Sequence, residues 1–202
     1  MNFEAAYEKM SKVDGWMDEP DLLWLFNTSL SLNKNATVVE IGSWKGRSAC
    51  ISLLGLQSND KIENPASRFF CIDKWLGNTG DYEPGYDGAG IAAYNEFIFN
   101  LKNVCNTVPF IIRADSAKSA CLFEDDSVDF VFIDANHVAD DVERDVRSWL
   151  PKVKSDGILS GHDWAKDGGE IPRALSRIMH TNTLNKTECS IWWARKNEIK
   201  FH

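Results

Sequence analysis

Thr37-Val38-Val39-Glu40-Ile41-Gly42-Ser43-Trp44-Lys45-Gly46-Arg47-Ser48 is the stretch on which the fold turns. Its first five residues are a β-branched run with a single charged position, Glu40, which suits a parallel strand covered on both faces. The run stops at Gly42, and after Gly46 a helical pattern follows through Ser48, Cys50, Ile51 and Leu54. Strand, glycine turn and helix in that order open a βαβ unit.

Working outward, the same alternation recurs. Upstream, 4–12 reads as a short helix broken at Gly15-Trp16-Met17, and a second helix starts near Asp21 with Leu22, Leu23, Leu25, Phe26 and Leu30 at helical spacing. Residues 1–36 are therefore expected to form N-terminal helices covering the site, and 37–202 the main domain of a single-domain chain. Downstream, strands are expected at 68–72, 110–113, 128–133 and 157–160. Helices are expected at 91–104, at 172–179, and from Val138 to Pro151 with Val138, Val142, Val146 and Trp149 on one face. A closing hairpin is read from Ile191-Trp192-Trp193 and Ile199-Lys200-Phe201. The stretch 77–90 carries five glycines and no apolar period, the composition of a loop that closes over a ligand. The sum is an α/β fold with a mainly parallel sheet and helices on both faces.

Composition narrows the class. Of 202 residues, 44% are hydrophobic and 26% charged, an ordinary globular balance. No apolar run approaches the ~18–20 residues of a membrane span, and the first residues lack a basic and apolar leader, so a cytoplasmic protein without a membrane partner is expected. Thirty acids against 22 Lys and Arg give a net charge of −8, which opposes binding along a nucleic-acid backbone. Five cysteines without a CxxC are expected to be buried reduced thiols.

Ligands of parallel sheets bind beyond the carboxyl ends of the strands. Each of the five strands named so far ends at or beside an acid: Glu40, Asp73, Asp115, Asp134 and Asp163. A single acid there is as readily a helix cap as a ligand. The first turn is E-x-G-x-x-x-G, with Trp44 where the dinucleotide fingerprint needs its second glycine for a pyrophosphate. A cofactor without a pyrophosphate has no such need. S-adenosylmethionine, with an amino-acid tail, a sulfonium and an adenosine, suits a close turn at Gly42 beside Glu40. Asp73 is then placed for ribose hydroxyls and Asp115 for the adenine amino group.

With Ile72-Asp73-Lys74-Trp75, Ala114-Asp115-Ser116, Val128 through His137, Asp145, Trp149-Leu150-Pro151 and Gly157 through Asp163, the chain resembles class I methyltransferases of the macrocin-type and cephalosporin-hydroxylase-like group over about residues 15–195. The resemblance implies a Rossmann-like seven-stranded sheet with a reversed last strand. It implies S-adenosylmethionine held by Glu40, Gly42, Ser43, Gly46, Ser48, Asp73, Trp75, Asp115, Ser116 and Asp134. It also implies a divalent ion, usually magnesium, on Asp134 and Asp163, and His137 beside Asp134 as the catalytic base for O-methylation of a small-molecule acceptor. Two departures stand out. Trp164 occupies a place where metal-dependent relatives often have a second acid or amide, and His162 precedes Asp163, a ligand better suited to zinc or manganese than to magnesium. Trp44, Trp75 and Trp164 each follow a strand-end acid and are candidates for stacking in the pocket. A nucleoside-binding module without catalysis and a hydroxylase-like chemistry on the same frame remain alternatives.

Overall fold

A computed structural model of the chain describes residues 1–76, 90–164 and 167–202. Helices α1 (Phe3–Met10) and α2 (Glu19–Ser31) precede strand β1 (Val38–Ile41) and helix α3 (Arg47–Gln57). Then come β2 (Phe69–Ile72), α4 (Gly90–Cys105), β3 (Phe110–Ile112), α5 (Ser116–Ser119), β4 (Val128–Ile133), α6 (Ala139–Trp149) and β5 (Val153–Gly161). A short α7 (Glu170–Leu175), β6 (Asn185–Lys186) and β7 (Trp192–Arg195) complete the order. Apart from Gly90, which begins α4, the glycine-rich stretch read as a closing loop lies outside the described residues.

The seven strands form one sheet in the order β3-β2-β1-β4-β5-β7-β6. β1 to β5 run parallel, and β7 pairs antiparallel with both β5 and β6. Side-chain alternation along the central strands divides the core. Val38, Phe130 and Phe132 pack with α1, α2, α3 and α4 on one face, whereas Val39, Ile41, Val131 and Ile133 pack with α6 and α7 on the other. α1 and α2 thus share the main core, lying against α3. Among the described residues no helix is long and apolar enough to cross a membrane.

Several sequence expectations need correction. Ile199-Lys200-Phe201 is not the partner of β7; that partner is β6, and Phe201 makes only an isolated bridge to Met179. The helix expected at 172–179 begins at Glu170 and ends at Leu175. β5 starts four residues before Gly157, and its register against β4 shifts between Val153 and Ile158, so its first half breaks the pattern that a periodicity reading follows. Val138 caps α6 and is exposed, while Val142, Val146 and Trp149 are buried as expected. Cys50, Cys71 and Cys105 are buried thiols, but Cys121 is exposed and Cys189 half-buried.

The parallel ladder continues one step past the strands and so sets the strand ends. Asp73 N–H donates to Ile112 O (3.2 Å), Gly42 N–H to Ile72 O (2.9 Å), Asp134 N–H to Ile41 O (2.7 Å) and His162 N–H to Ile133 O (3.0 Å). The order in which strands are added to the sheet reverses between β1 and β4, which makes that gap the switch point where open α/β sheets bind ligands. Gly42 lies there with φ 84°, and a Cβ on it would stand 2.0 Å from the Asp134 carbonyl oxygen. The glycine is thus required by the neighbouring strand's backbone, before any ligand is considered. Gly42→Val is expected to cost about 3 kcal/mol or more through strain and overpacking. Urea unfolding of the ligand-free protein checks this, and a stability equal to wild type would refute the contact.

Candidate functional site

The turns at the carboxyl edge are held in conformations that side chains rarely adopt. Trp44 has φ 40°, Trp75 φ 52° and Asp163 φ 59°, beside Gly42 and Gly46 at 84° and 88°. Left-handed backbone at bulky residues persists only where surroundings enforce it. Asp73 supplies much of that enforcement. Its Oδ2 accepts the Trp44 N–H (2.9 Å) and its Oδ1 the Trp75 N–H (2.6 Å), while the Trp75 indole N–H donates to Trp44 O (2.7 Å). One carboxylate therefore ties the turns after β1 and β2 together. The Trp75 ring itself is 2% exposed against Tyr94 and Phe97, so it packs in the core and does not line an open pocket. Trp44 instead stacks on the exposed Trp16, with ring centroids 4.5 Å apart and planes 14° apart.

Glu40 sits behind this edge and shares the α3 face of the sheet with Val38. Among the described residues neither of its oxygens has a hydrogen-bond partner, nor does the Ser43 hydroxyl, and all three atoms are buried. Burial pushes the Glu40 carboxyl up to about 8; Asp134 and Asp73 add to the rise, and the dipoles of Ser43 and Ser48 oppose it. Buried polar groups left without partners ask for a ligand. The ammonium of an amino-acid tail answers that chemistry, so these residues fit S-adenosylmethionine. Gly46 closes the turn by donating to Ser43 O (2.7 Å) and leads into α3, where Ser48 lies in the first turn.

Two expected nucleoside contacts are engaged within the protein. Asp115 caps α5 by accepting the Lys118 N–H (3.1 Å), and Lys74 and Arg144 lie 3.6 and 3.7 Å from its carboxylate. The Ser116 hydroxyl donates to Asp145, a buried acid whose carboxyl burial lifts to about 6.

The second cluster gathers at the ends of β4 and β5. Asp163 Oδ2 is 2.9 Å from His137 Nε2, and its Oδ1 is 3.3 Å from His162 Nδ1. Asp134 Oδ1 lies 3.8 Å from the same Nδ1. On its far side, His162 Nε2 meets Asp21 of α2 at 3.2 Å. Burial pulls the His162 imidazole down, but Asp163, Asp21 and Asp134 prevail and raise it to about 10. Burial opposes ionisation of Asp163, yet His137 and His162 hold it well below the usual carboxylate range. Donor atoms of Asp134, His162 and Asp163 all lie within 4.8 Å of one another and could hold a metal ion. A nitrogen among the donors suits manganese, iron, cobalt or zinc better than magnesium. A small cleft opens here between Asp134, Asn136, His137 and His162 and the apolar Ile171 and Trp192.

The sequence singles out Asp134, His137 and Asp163, and the fold brings them together. In the sequence His162 stands out only as a departure from the family pattern, although it adjoins a strand-end acid. Asp21 reads there as a helix-start residue, since nothing in α2 alone foretells a partner more than a hundred residues away.

Glu40 sets a pH dependence whose sign follows from linkage. With the folded value near 8 and an ordinary value of 4.5, the folded state keeps a proton that the unfolded chain has released. This contribution to stability is full below about pH 4.5, falls as pH rises to 8, and is flat above. Glu40→Gln should therefore remove a downward slope in unfolding free energy between those values, measured by urea melts across pH. An unchanged slope would rule out the buried, protonated acid.

Residues 39–164 match the family described as a methyltransferase domain. An uncharacterized protein of Sinorhizobium fredii is 25% identical over 130 residues, covering 62% of this chain, and the match spans only 13% of that relative's length. Among solved structures, a protein from Corynebacterium glutamicum aligns at TM-score 0.64 and 14% identity over 96% of this chain and 88% of its own. A calicheamicin methyltransferase aligns at 0.63 and 12%, over 95% and 91%. An S-adenosylmethionine-dependent O-methyltransferase from Thermotoga maritima aligns at 0.59 and 12%, over 98% and 71%. At such identities the structural likeness is one of fold, while the family match covers more than half of the chain. The chain belongs to the methyltransferase-domain family and carries the Rossmann-like fold of S-adenosylmethionine-dependent methyltransferases.

Proposed function

We propose that this protein transfers a methyl group from S-adenosylmethionine to a hydroxyl of a small molecule, with His137 as base and a divalent cation at Asp134, His162 and Asp163. The observation that carries the reading is the cluster at the ends of β4 and β5. Two carboxylates and two imidazoles converge there, on the edge behind which Glu40 has no hydrogen-bond partner among the described residues. When bound, S-adenosylmethionine supplies an electrophilic methyl on a sulfonium, and a divalent cation supplies a Lewis acid that lowers the hydroxyl's pKa.

The chain's own residues do the remainder. Asp163 Oδ2 accepts from His137 Nε2, which orients the ring, and His137 is the group that would take the acceptor's proton. The same carboxylate stabilises the imidazolium that results, as in other acid–imidazole pairs. With S-adenosylmethionine bound at the Glu40–Gly42 turn, the acceptor oxygen would receive the methyl group and the cofactor would leave as a neutral thioether, while His137 would hold the proton. Positioning and fixed charge carry most of the acceleration. The acidic surface, at net charge −8, favours a small acceptor over nucleic acid. Relatives whose names specify O-methylation support the choice of oxygen as nucleophile.

Calorimetry should detect S-adenosylmethionine and its demethylated product but no NAD; tight NAD binding without a response to the methyl donor would overturn the cofactor assignment. Using radiolabelled methyl donor against a panel of small alcohols and phenols, His137→Ala should lower turnover by roughly 10²–10⁴-fold with partial recovery at high pH. Asp134→Ala and chelation should each nearly abolish transfer while cofactor affinity changes little. Full transfer in chelator together with an unaffected His137→Ala variant would eliminate this mechanism.

A further inference from the structure

We infer that Asp21, on α2 and outside the 39–164 stretch that matches the family, is a positioning residue of the acceptor side: it holds the Nε2–H of His162 and so aims Nδ1 into the gap between Asp134 and Asp163. This rests on the reading of that gap as a cation site.

Asp21 is fully buried. Its Oδ1 accepts the Thr187 hydroxyl at 2.5 Å and the Ile191 N–H at 3.3 Å; its Oδ2 accepts the Ser190 N–H at 3.1 Å and faces His162 Nε2 at 3.2 Å. The other three partners are donors, and a carboxylate surrounded in this way acts only as acceptor. The ring nitrogen facing it must therefore carry hydrogen. Of the two ring nitrogens, Nδ1 is left as the one whose occupancy can change.

Nδ1 looks toward Asp163 Oδ1 at 3.3 Å and Asp134 Oδ1 at 3.8 Å. In the metal-free protein that position carries the imidazolium's second hydrogen, and a divalent ion entering the gap would displace it, because a ligating imidazole must be deprotonated. Carboxylate, imidazole and cation in this order is the arrangement by which outer partners fix a metal-binding histidine. A purely architectural role would make Asp21 a tie between α2 and the β6–β7 hairpin. Thr187→Val separates the two roles, because it removes part of that tie and leaves the Asp21–His162 contact in place.

The experiment uses the full chain, metal-free and labelled with ¹⁵N in its histidine rings. Long-range proton–nitrogen spectra read which nitrogen of His162 bears hydrogen, and Mn²⁺ calorimetry follows on wild type, Asp21→Asn and Thr187→Val. Expected are a protonated Nε2 in wild type and Thr187→Val, displaced ring signals in Asp21→Asn, and Mn²⁺ affinity about 10–100-fold weaker in Asp21→Asn alone. A wild-type ring with hydrogen on Nδ1 and a bare Nε2 overturns the inference even if Asp21→Asn does not fold. Equal losses of affinity in both variants overturn it too, since packing then accounts for the effect. Wild-type protein that takes up no Mn²⁺, Zn²⁺ or Mg²⁺ would defeat the cation reading. The ring spectra of wild type and Asp21→Asn would still decide whether Asp21 positions His162.

Discussion

The backbone contact between Gly42 and Asp134 is the constraint on which the rest of the edge depends. At the point where strand order reverses, β1 and β4 finish so close together that no side chain fits on the first residue beyond β1. That closeness allows the Asp134 N–H to reach Ile41 O and sends the Asp134 side chain out beyond the sheet. Gly42 in turn begins the turn that carries Ser43, Trp44 and Gly46. Both halves of the site, the one behind β1 and the one beyond β4, therefore inherit their positions from one glycine.

Carboxylates crowd this edge, and the fold answers each by a different means. Asp73 is satisfied by two backbone N–H groups, so its charge serves to hold turns. Asp115 is set between a helix N–H and two exposed cations. Asp163 is held by two imidazoles, which keep its carboxyl ionised well below the usual carboxylate range. Glu40 receives nothing comparable and stays protonated to about pH 8. Acids that look alike in sequence are thus sorted into structural, rim and reactive kinds by what donates to them.

Much of the fold was legible because buried parallel strands are short apolar runs with sharp ends. Val128–Ile133 is read at its true bounds for that reason. The misreadings occurred where tertiary pairing outweighed local pattern. Two polar residues, Asn185 and Lys186, form the strand that pairs with β7, while the apolar Ile199-Lys200-Phe201 does not. In the site, Asp134, His137 and Asp163 were visible as strand-end residues. Their link to α2 was not, since Asp21 follows Glu19 and Pro20 in an ordinary helix start. Likewise Trp75 looks like a pocket aromatic by sequence position, and only its packing beneath Tyr94 and Phe97 reveals a core residue.

The Asp21 contacts have a consequence in time. Thr187 comes 166 residues after Asp21 in the chain. At a synthesis rate of ~5–20 residues per second, the interval between them is roughly 10–30 s. For that interval the nascent α2 has Leu22, Leu25 and Phe26 ready to dock, but beside them a carboxylate whose donors do not yet exist. An ionised group buried without partners costs several kcal/mol, so α2 gains its final seat only when the last hairpin emerges. The half of the domain made first waits for the half made last, and a ribosome pausing before residue 187 holds the chain with its apolar N-terminal helix still unseated.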